Sequence, residues 1–201
     1  MTLALDLRAV ELLCSRLCHD LVSPVGAISN GVELLTEMGP DAEALELVGQ
    51  SAQAAANRLK FYRVAYGAAG ADLPPVELHD LMTALLRDRH ATLTWDAAAP
   101  VPHGTGGRKL VLNMIALAVE ALPRGGSIQV TSLASPASIA VSADGAGAAL
   151  PEGAEAALDG TLGVEALTAR TVQAYFTGRL AASVGARLAV TTEPGRIVLR
   201  A

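Results

Sequence analysis

Apolar positions in the first third of the chain recur with a helical period. Val10, Leu13, Leu17, Leu21, Ile28, Val32 and Leu35 follow one another at spacings of three, four and seven. That pattern draws one stripe along a helix from about Asp6 to Met38, roughly 50 Å long. Gly39-Pro40 stops it, and Asp41 is a good N-cap for a second helix reaching about Tyr66. This second helix sets Leu45, Val48, Ala52, Ala55, Leu59 and Tyr62 on its inner side, and its alanines permit a close neighbour. Two long helices joined by so short a turn form an antiparallel hairpin. Alone, the hairpin leaves its stripe half covered. A second copy, giving a four-helix bundle across a two-fold axis, is the expected cover. The C-terminal half of the chain is the competing one.

Gly67-Ala-Ala-Gly-Ala-Asp-Leu-Pro-Pro75 reads as a linker that divides the chain into a helical part, 1–70, and a second part, 71–201. The pattern then changes. Glu77 to Arg89 is helical and Thr92 to Trp95 alternates as a short strand. A helix from near Gly107 turns Leu110, Val111, Met114, Leu117, Ala118 and Leu122 inward until Pro123-Arg-Gly-Gly126 breaks it. Ser127–Thr131 and Ser138–Ser142 alternate as antiparallel strands about Ser135-Pro136. Helical pieces follow at Glu155–Leu158 and Gly163–Ser183. Arg187–Thr191 and Arg196–Arg200 close the chain as a hairpin across Glu193-Pro-Gly195. The second part is thus an α/β sandwich, and the whole chain is α+β, with helices over one face of a mostly antiparallel sheet.

Composition removes several classes of function. The net charge is −5 with a pI near 5.3, and there is no basic run, so binding to nucleic acid by phosphate neutralisation is excluded. Asp6, Arg8 and Glu11 break any secretory leader, and no apolar run approaches the roughly 20 residues of a membrane span. The two cysteines, Cys14 and Cys18, stand one helical turn apart and make no disulfide framework. A cytoplasmic protein is expected.

The chemistry concentrates at Leu17-Cys-His-Asp-Leu-Val-Ser-Pro-Val-Gly26. At 100° per residue His19 falls on the side of the helix away from the apolar stripe. A lone histidine on a polar face is usually only solvated, but three neighbours alter the balance. Asp20 is an adjacent acid. Ser23, four residues on, shares the face of His19. Pro24 removes the amide that would bond the Asp20 carbonyl, loosening or kinking the helix within a turn of the histidine, at a cost of about 3 kcal/mol. A neutral imidazole, with an ordinary pKa near 6.5, has one free nitrogen and is a suitable nucleophile for a phosphoryl group. A metal site built from His19 with Cys18, Cys14 or Asp20 is the weaker reading, because Cys18 points elsewhere on the helix and no second pair of ligands has metal-like spacing. His79, His90 and His103 carry no motif.

The run from His19 through Asp20, Ser23 and Pro24 resembles the phosphoacceptor box of sensor histidine kinases. Its continuation, Ile28-Ser-Asn-Gly-Val-Glu-Leu-Leu35, is similar more narrowly to the ChpT-type histidine phosphotransferases of cell-cycle signalling. The resemblance implies that His19 is the phosphorylated residue, that Asp20 orients the ring or manages its proton, and that Ser23 helps place the incoming group. It also implies a partner receiver domain that supplies both the aspartate and Mg²⁺.

The order of elements after Pro75 resembles the ATP-binding domain of those kinases, with its motifs damaged. Asn113 matches the first Asn of the kinase N box. Leu117 stands where the magnesium-coordinating Asn belongs, and a Leu cannot ligate a hard cation. Asp144-Gly-Ala-Gly147 lacks the kinase spacing, and the glycine-rich lid is reduced to Gly160-Thr-Leu-Gly163. No cofactor of its own is expected, ATP binding being lost. The helix from Gln173 to Arg187 is one place to look for partner docking. The expectation is a homodimeric relay without autokinase activity, taking a phosphoryl group from a hybrid kinase receiver and donating it to response regulators. A divergent active kinase and a non-catalytic receiver-binding adaptor are the alternatives.

Overall fold

The computed structural model describes residues 6–67, 73–87, 89–96, 101, 104–134 and 137–201. The first helix, α1, spans Leu7–Met38 and the second, α2, Ala42–Ala65. Each starts on an aspartate cap: Asp6 accepts from the Arg8 amide at 2.9 Å, and Asp41 from the Ala44 amide at 2.9 Å. These bonds satisfy donors that the first turn would otherwise leave bare. The two helices pack together as the expected hairpin. Gly31 brings them close, since a Cβ there would lie 2.5 Å from Val48 Cγ2.

The single apolar stripe of the sequence divides into two faces. Leu13 is buried and Leu17, Leu21, Ile28 and Leu35 are partly buried along the seam between the helices. Val10, Val32, Leu45 and Leu59, expected on the inner side, are instead 40–57% exposed, and Ala52 is exposed too. With Val25, all of these but Val10, which shares the angular position of Ile28, lie about a quarter turn away from the seam on each helix. Antiparallel helices turn in opposite senses when viewed end-on, so both offsets fall on the same side of the hairpin. One continuous apolar face results. The other side is taken by the C-terminal half, whose core includes Ala9, Phe61, Val64 and Ala65.

That half contains α3 (Pro75–Arg87), β1 (Ala91–Trp95), α4 (Gly104–Glu120), β2 (Gly126–Ala134), β3 (Ala137–Asp144), α5 (Ala154–Asp159), α6 (Val172–Ser183), β4 (Ala189–Glu193) and β5 (Arg196–Arg200). The five strands form one sheet in the order β1-β2-β3-β5-β4, with β1 parallel to β2 and every other pair antiparallel. The chain is therefore α+β. Several boundaries differ from the sequence reading, two of them in helices. Helix α4 begins at Gly104, and the piece expected over Gly163–Ser183 is a 3₁₀ turn at Val164–Ala166 followed, after a break, by α6. Residues 68–72 of the linker, the Ser135-Pro136 turn and His103 lie outside the described residues.

Helix α4 is the centre of the packing. It touches α2, α6 and the sheet, and Leu112, Asn113 and Ile115 are as fully buried as the expected inner residues. A helix covered on several sides is apolar nearly all round, which is why a one-face pattern captured only part of it. Two glycines fix neighbouring joints. Gly126 sits at φ 150°, where a Cβ would lie 2.2 Å from the Asp144 carbonyl oxygen. Gly178 brings α6 onto the backbone of α5, a Cβ there falling 1.9 Å from the Leu158 carbonyl oxygen. Among the described residues no helix is long and apolar enough to cross a membrane.

Candidate functional site

Helix α1 continues through the buried Pro24, and His19 stands on its solvent side with 88% of the side chain exposed. Its Nδ1 lies 3.5 Å from Asp20 Oδ1. The other carboxylate oxygen, Oδ2, accepts from the Tyr62 hydroxyl of α2 at 3.0 Å. Burial, and then the neighbouring Asp20 charge, push the Tyr62 phenol far above its ordinary pKa. It therefore stays protonated and donates. Arg58, one turn before Tyr62, donates from Nη1 to the main-chain carbonyl of Asp20. Ser23 is exposed one turn beyond His19. The structure thus places His19, Asp20 and Ser23 together on one turn, with two α2 side chains behind them.

The arrangement has a definite chemical consequence. With Nδ1 giving its proton toward Asp20, Nε2 carries the free lone pair, and Asp20 opposes the positive charge that grows on the ring when Nε2 attacks an electrophile. The carboxylate in turn is held by Tyr62, so it is oriented before any partner arrives.

A cavity of about 100 Å³ lies behind Asp20, between the hairpin and the C-terminal half. Arg16 and Glu120 meet there in a partly buried ion pair, and Arg16 Nη1 also reaches the Ala169 carbonyl at 3.4 Å. Burial pushes the Glu120 carboxyl up against the pull of Arg16. Burial alone would lower Arg16, but Glu120, Tyr66 and Asp20 together outweigh it and hold the guanidinium above its ordinary value. Four of the chain's six aromatic rings gather at this junction. Phe61 and Tyr62 of α2 and Tyr66 at its C-cap contact one another, and Tyr66 meets Phe176 edge-on at 5.2 Å between centroids.

The kinase-like motifs are engaged otherwise. The Asn113 amide donates to the Ala65 carbonyl at 3.0 Å and to the Lys109 carbonyl at 2.9 Å, and its oxygen accepts from Gln173 Nε2 at 3.0 Å. The Tyr66 hydroxyl donates to Gln173 Oε1 at 2.5 Å. Asn113 and Gln173 are both wholly buried, as is Leu117 in the core. Neither N-box position exposes a polar atom to a ligand, so these residues do not fit a bound nucleotide and its cation. Asp144 lies 3.5 Å from Arg196 Nε on the adjoining strand. Helix α6, considered for docking, turns Gln173, Ala174, Tyr175 and Thr177 inward. The part of it around Gln173 is therefore packing surface.

Cys14 and Cys18 are both exposed. Among the described residues no three His, Cys, Asp or Glu side chains gather as a metal site. A second His-Asp pair occurs in α3, where His79 Nδ1 lies 3.6 Å from Asp80 Oδ1. Here the acid is 75% exposed, against 28% for Asp20, and no proline follows within the turn. The supports from α2 were missed in the sequence. Their only trace was the four-residue spacing of Arg58 and Tyr62, which puts both on one helix face.

A hairpin bearing an exposed histidine beside a held acid, joined to an α/β layer with kinase-like element order, defines a class of phosphotransfer protein. The comparisons with known proteins agree. The family model for the histidine phosphotransferase C-terminal domain matches residues 75–196. The chain is 37% identical to the protein phosphotransferase ChpT of Brucella abortus (strain 2308), over 98% of this chain and 96% of that one. It also superposes on the structure of a bacterial phosphotransferase with a TM-score of 0.80 and 33% identity, covering 100% of this chain and 98% of the other. The chain belongs to the ChpT-type histidine phosphotransferases.

Proposed function

We propose that the protein is a homodimeric relay that carries a phosphoryl group between receiver-domain aspartates through His19. The observation that carries this reading is the exposed His19 ring whose Nδ1 faces a carboxylate fixed from behind by Tyr62. The Nε2 lone pair forms the N–P bond as the P–O bond of a receiver's aspartyl phosphate breaks, and the aspartate leaves with the electron pair. Transfer onward reverses these steps toward the aspartate of a response regulator. Such in-line transfer depends on positioning and charge compensation more than on protein bases. Asp20 balances the ring charge, Ser23 donates to the incoming group, and the receiver supplies Mg²⁺.

In this reading the hybrid kinase receiver is the donor and cell-cycle response regulators are the acceptors, in the cytoplasm. Residues 1–70 dimerise and carry the histidine. Residues 71–201 are an ATPase-like layer that has lost nucleotide binding, a view supported by the burial of Leu117 and the full engagement of Asn113. The test is to incubate the protein with a phosphorylated receiver and, separately, with radiolabelled ATP alone. Label arriving only from the receiver is expected. Label from ATP without a partner would favour a kinase, and no label from either would end the relay reading.

The apolar face formed by Val25, Val32, Leu45 and Leu59 supports the dimer. A second copy related by a two-fold axis would cover it with the same face and complete four helices. Replacing Val32 and Leu45 together by glutamate is expected to halve the mass seen by light scattering. A variant that keeps the wild-type mass would show that the dimer, if formed, uses another surface.

A further inference from the structure

Pro24 has no amide hydrogen, so the carbonyl of Asp20, four residues earlier, lacks the donor that an ordinary helix would give it. A carbonyl left short of its helix bond in a partly buried place needs another partner. The structure supplies one from the other helix: Arg58 Nη1 donates to this carbonyl. Tyr62, on the same face of α2, holds the Asp20 side chain at 3.0 Å. Both the main chain and the carboxylate of the residue beside His19 are therefore fastened to α2.

We infer that Arg58 is a positioning residue for phosphotransfer, supplying the donor that Pro24 removes and so fixing the turn that presents His19 and Asp20. This rests on the relay function proposed above. Arg58 acts through Asp20. A turn with one helix bond missing can adapt when a receiver docks, whereas a turn with an unsatisfied carbonyl would not hold the ring in one place. The guanidinium gives the first without the second.

The experiment is a four-protein cycle of wild type, Arg58→Ala, Pro24→Ala and the double variant, each taking label from a phosphorylated receiver. Rate constants and the receiver concentration for half-maximal rate are read separately. Pro24→Ala restores an amide to the Asp20 carbonyl and so makes Arg58 dispensable for this role. In the Pro24 background Arg58→Ala is expected to slow transfer by about 10- to 100-fold, mostly in the maximal rate. In the Pro24→Ala background the same change is expected to cost less than about threefold. An equal loss in both backgrounds would overturn the inference, since Arg58 would then act on the phosphoryl group or the receiver. No loss in either would also overturn it. Should Arg58→Ala fail to fold, as judged by its melting curve, Arg58→Lys replaces it in both backgrounds. That variant keeps a cation with donors but loses the planar fork, and the same interaction between the two sites is expected. If the wild type itself takes no label, the relay reading has failed rather than the role of Arg58.

Discussion

The variant His19→Ala is expected to accept no label from a phosphorylated receiver while melting like the wild type. The two halves of this expectation have separate grounds. An alanine offers no nucleophile, and nothing adjacent can replace the ring: Asp20 has one oxygen toward His19 and the other occupied by Tyr62. The side chain is 88% exposed, so its removal should change stability by less than about 0.5 kcal/mol. The second His-Asp pair provides an internal control. His79→Ala is expected to take label at the wild-type rate, because Asp80 is largely exposed and carries none of the α2 support that surrounds Asp20. If label moved to His79, or survived the loss of His19, the phosphoacceptor would be misassigned. Receiver labelling of the wild type, His19→Ala and His79→Ala side by side decides it.

The second large effect is expected at Leu117, the place of the missing magnesium ligand. Returning the kinase residue by Leu117→Asn should lower stability by about 3–5 kcal/mol in urea unfolding and leave Mg-ATP binding undetectable. The reason lies in burial. Leu117 is wholly enclosed in the core, on the same helix as Asn113, whose amide is already spent on Ala65, Lys109 and Gln173. An amide at 117 would lose the packing of a leucine and bring polar atoms into an apolar space. If this single change produced ATP binding, the rest of the nucleotide site would have to be intact, and the loss of nucleotide binding proposed for the layer would be wrong.

Much of the fold was legible because its signals are local. Asp41 reads as a helix cap from residue type and neighbours alone, and it caps. Alternation around Glu193-Pro-Gly195 is a hairpin signal, and β4 and β5 pair there. The apolar stripe identified both long helices, but it could not say which residues face the seam and which face outward. A stripe wider than one contact serves two, and Val32 and Leu59 belong to the second. The site was legible only in its first element. His19, Asp20, Ser23 and Pro24 are close together in sequence, whereas Arg58 and Tyr62 reach Asp20 across 38 and 42 residues, a distance set by the register of the hairpin. Asn113 shows the opposite failure. Its residue type suggested a nucleotide, and only the packing reveals a tie between helices.

That tie has a consequence for how the protein works over time. A kinase must swing its ATP domain toward the histidine and then withdraw. In this chain Asn113 bonds the last turn of α2, Tyr66 reaches Gln173, Lys109 Nζ reaches the Gly67 carbonyl at 2.5 Å, and Arg16 reaches Glu120. Moving the layer would strip several buried polar groups of their partners at once, each costing about 1–3 kcal/mol. In the relay proposed above, traffic through His19 would then be metered by which partners are present and charged rather than by a swing of this layer.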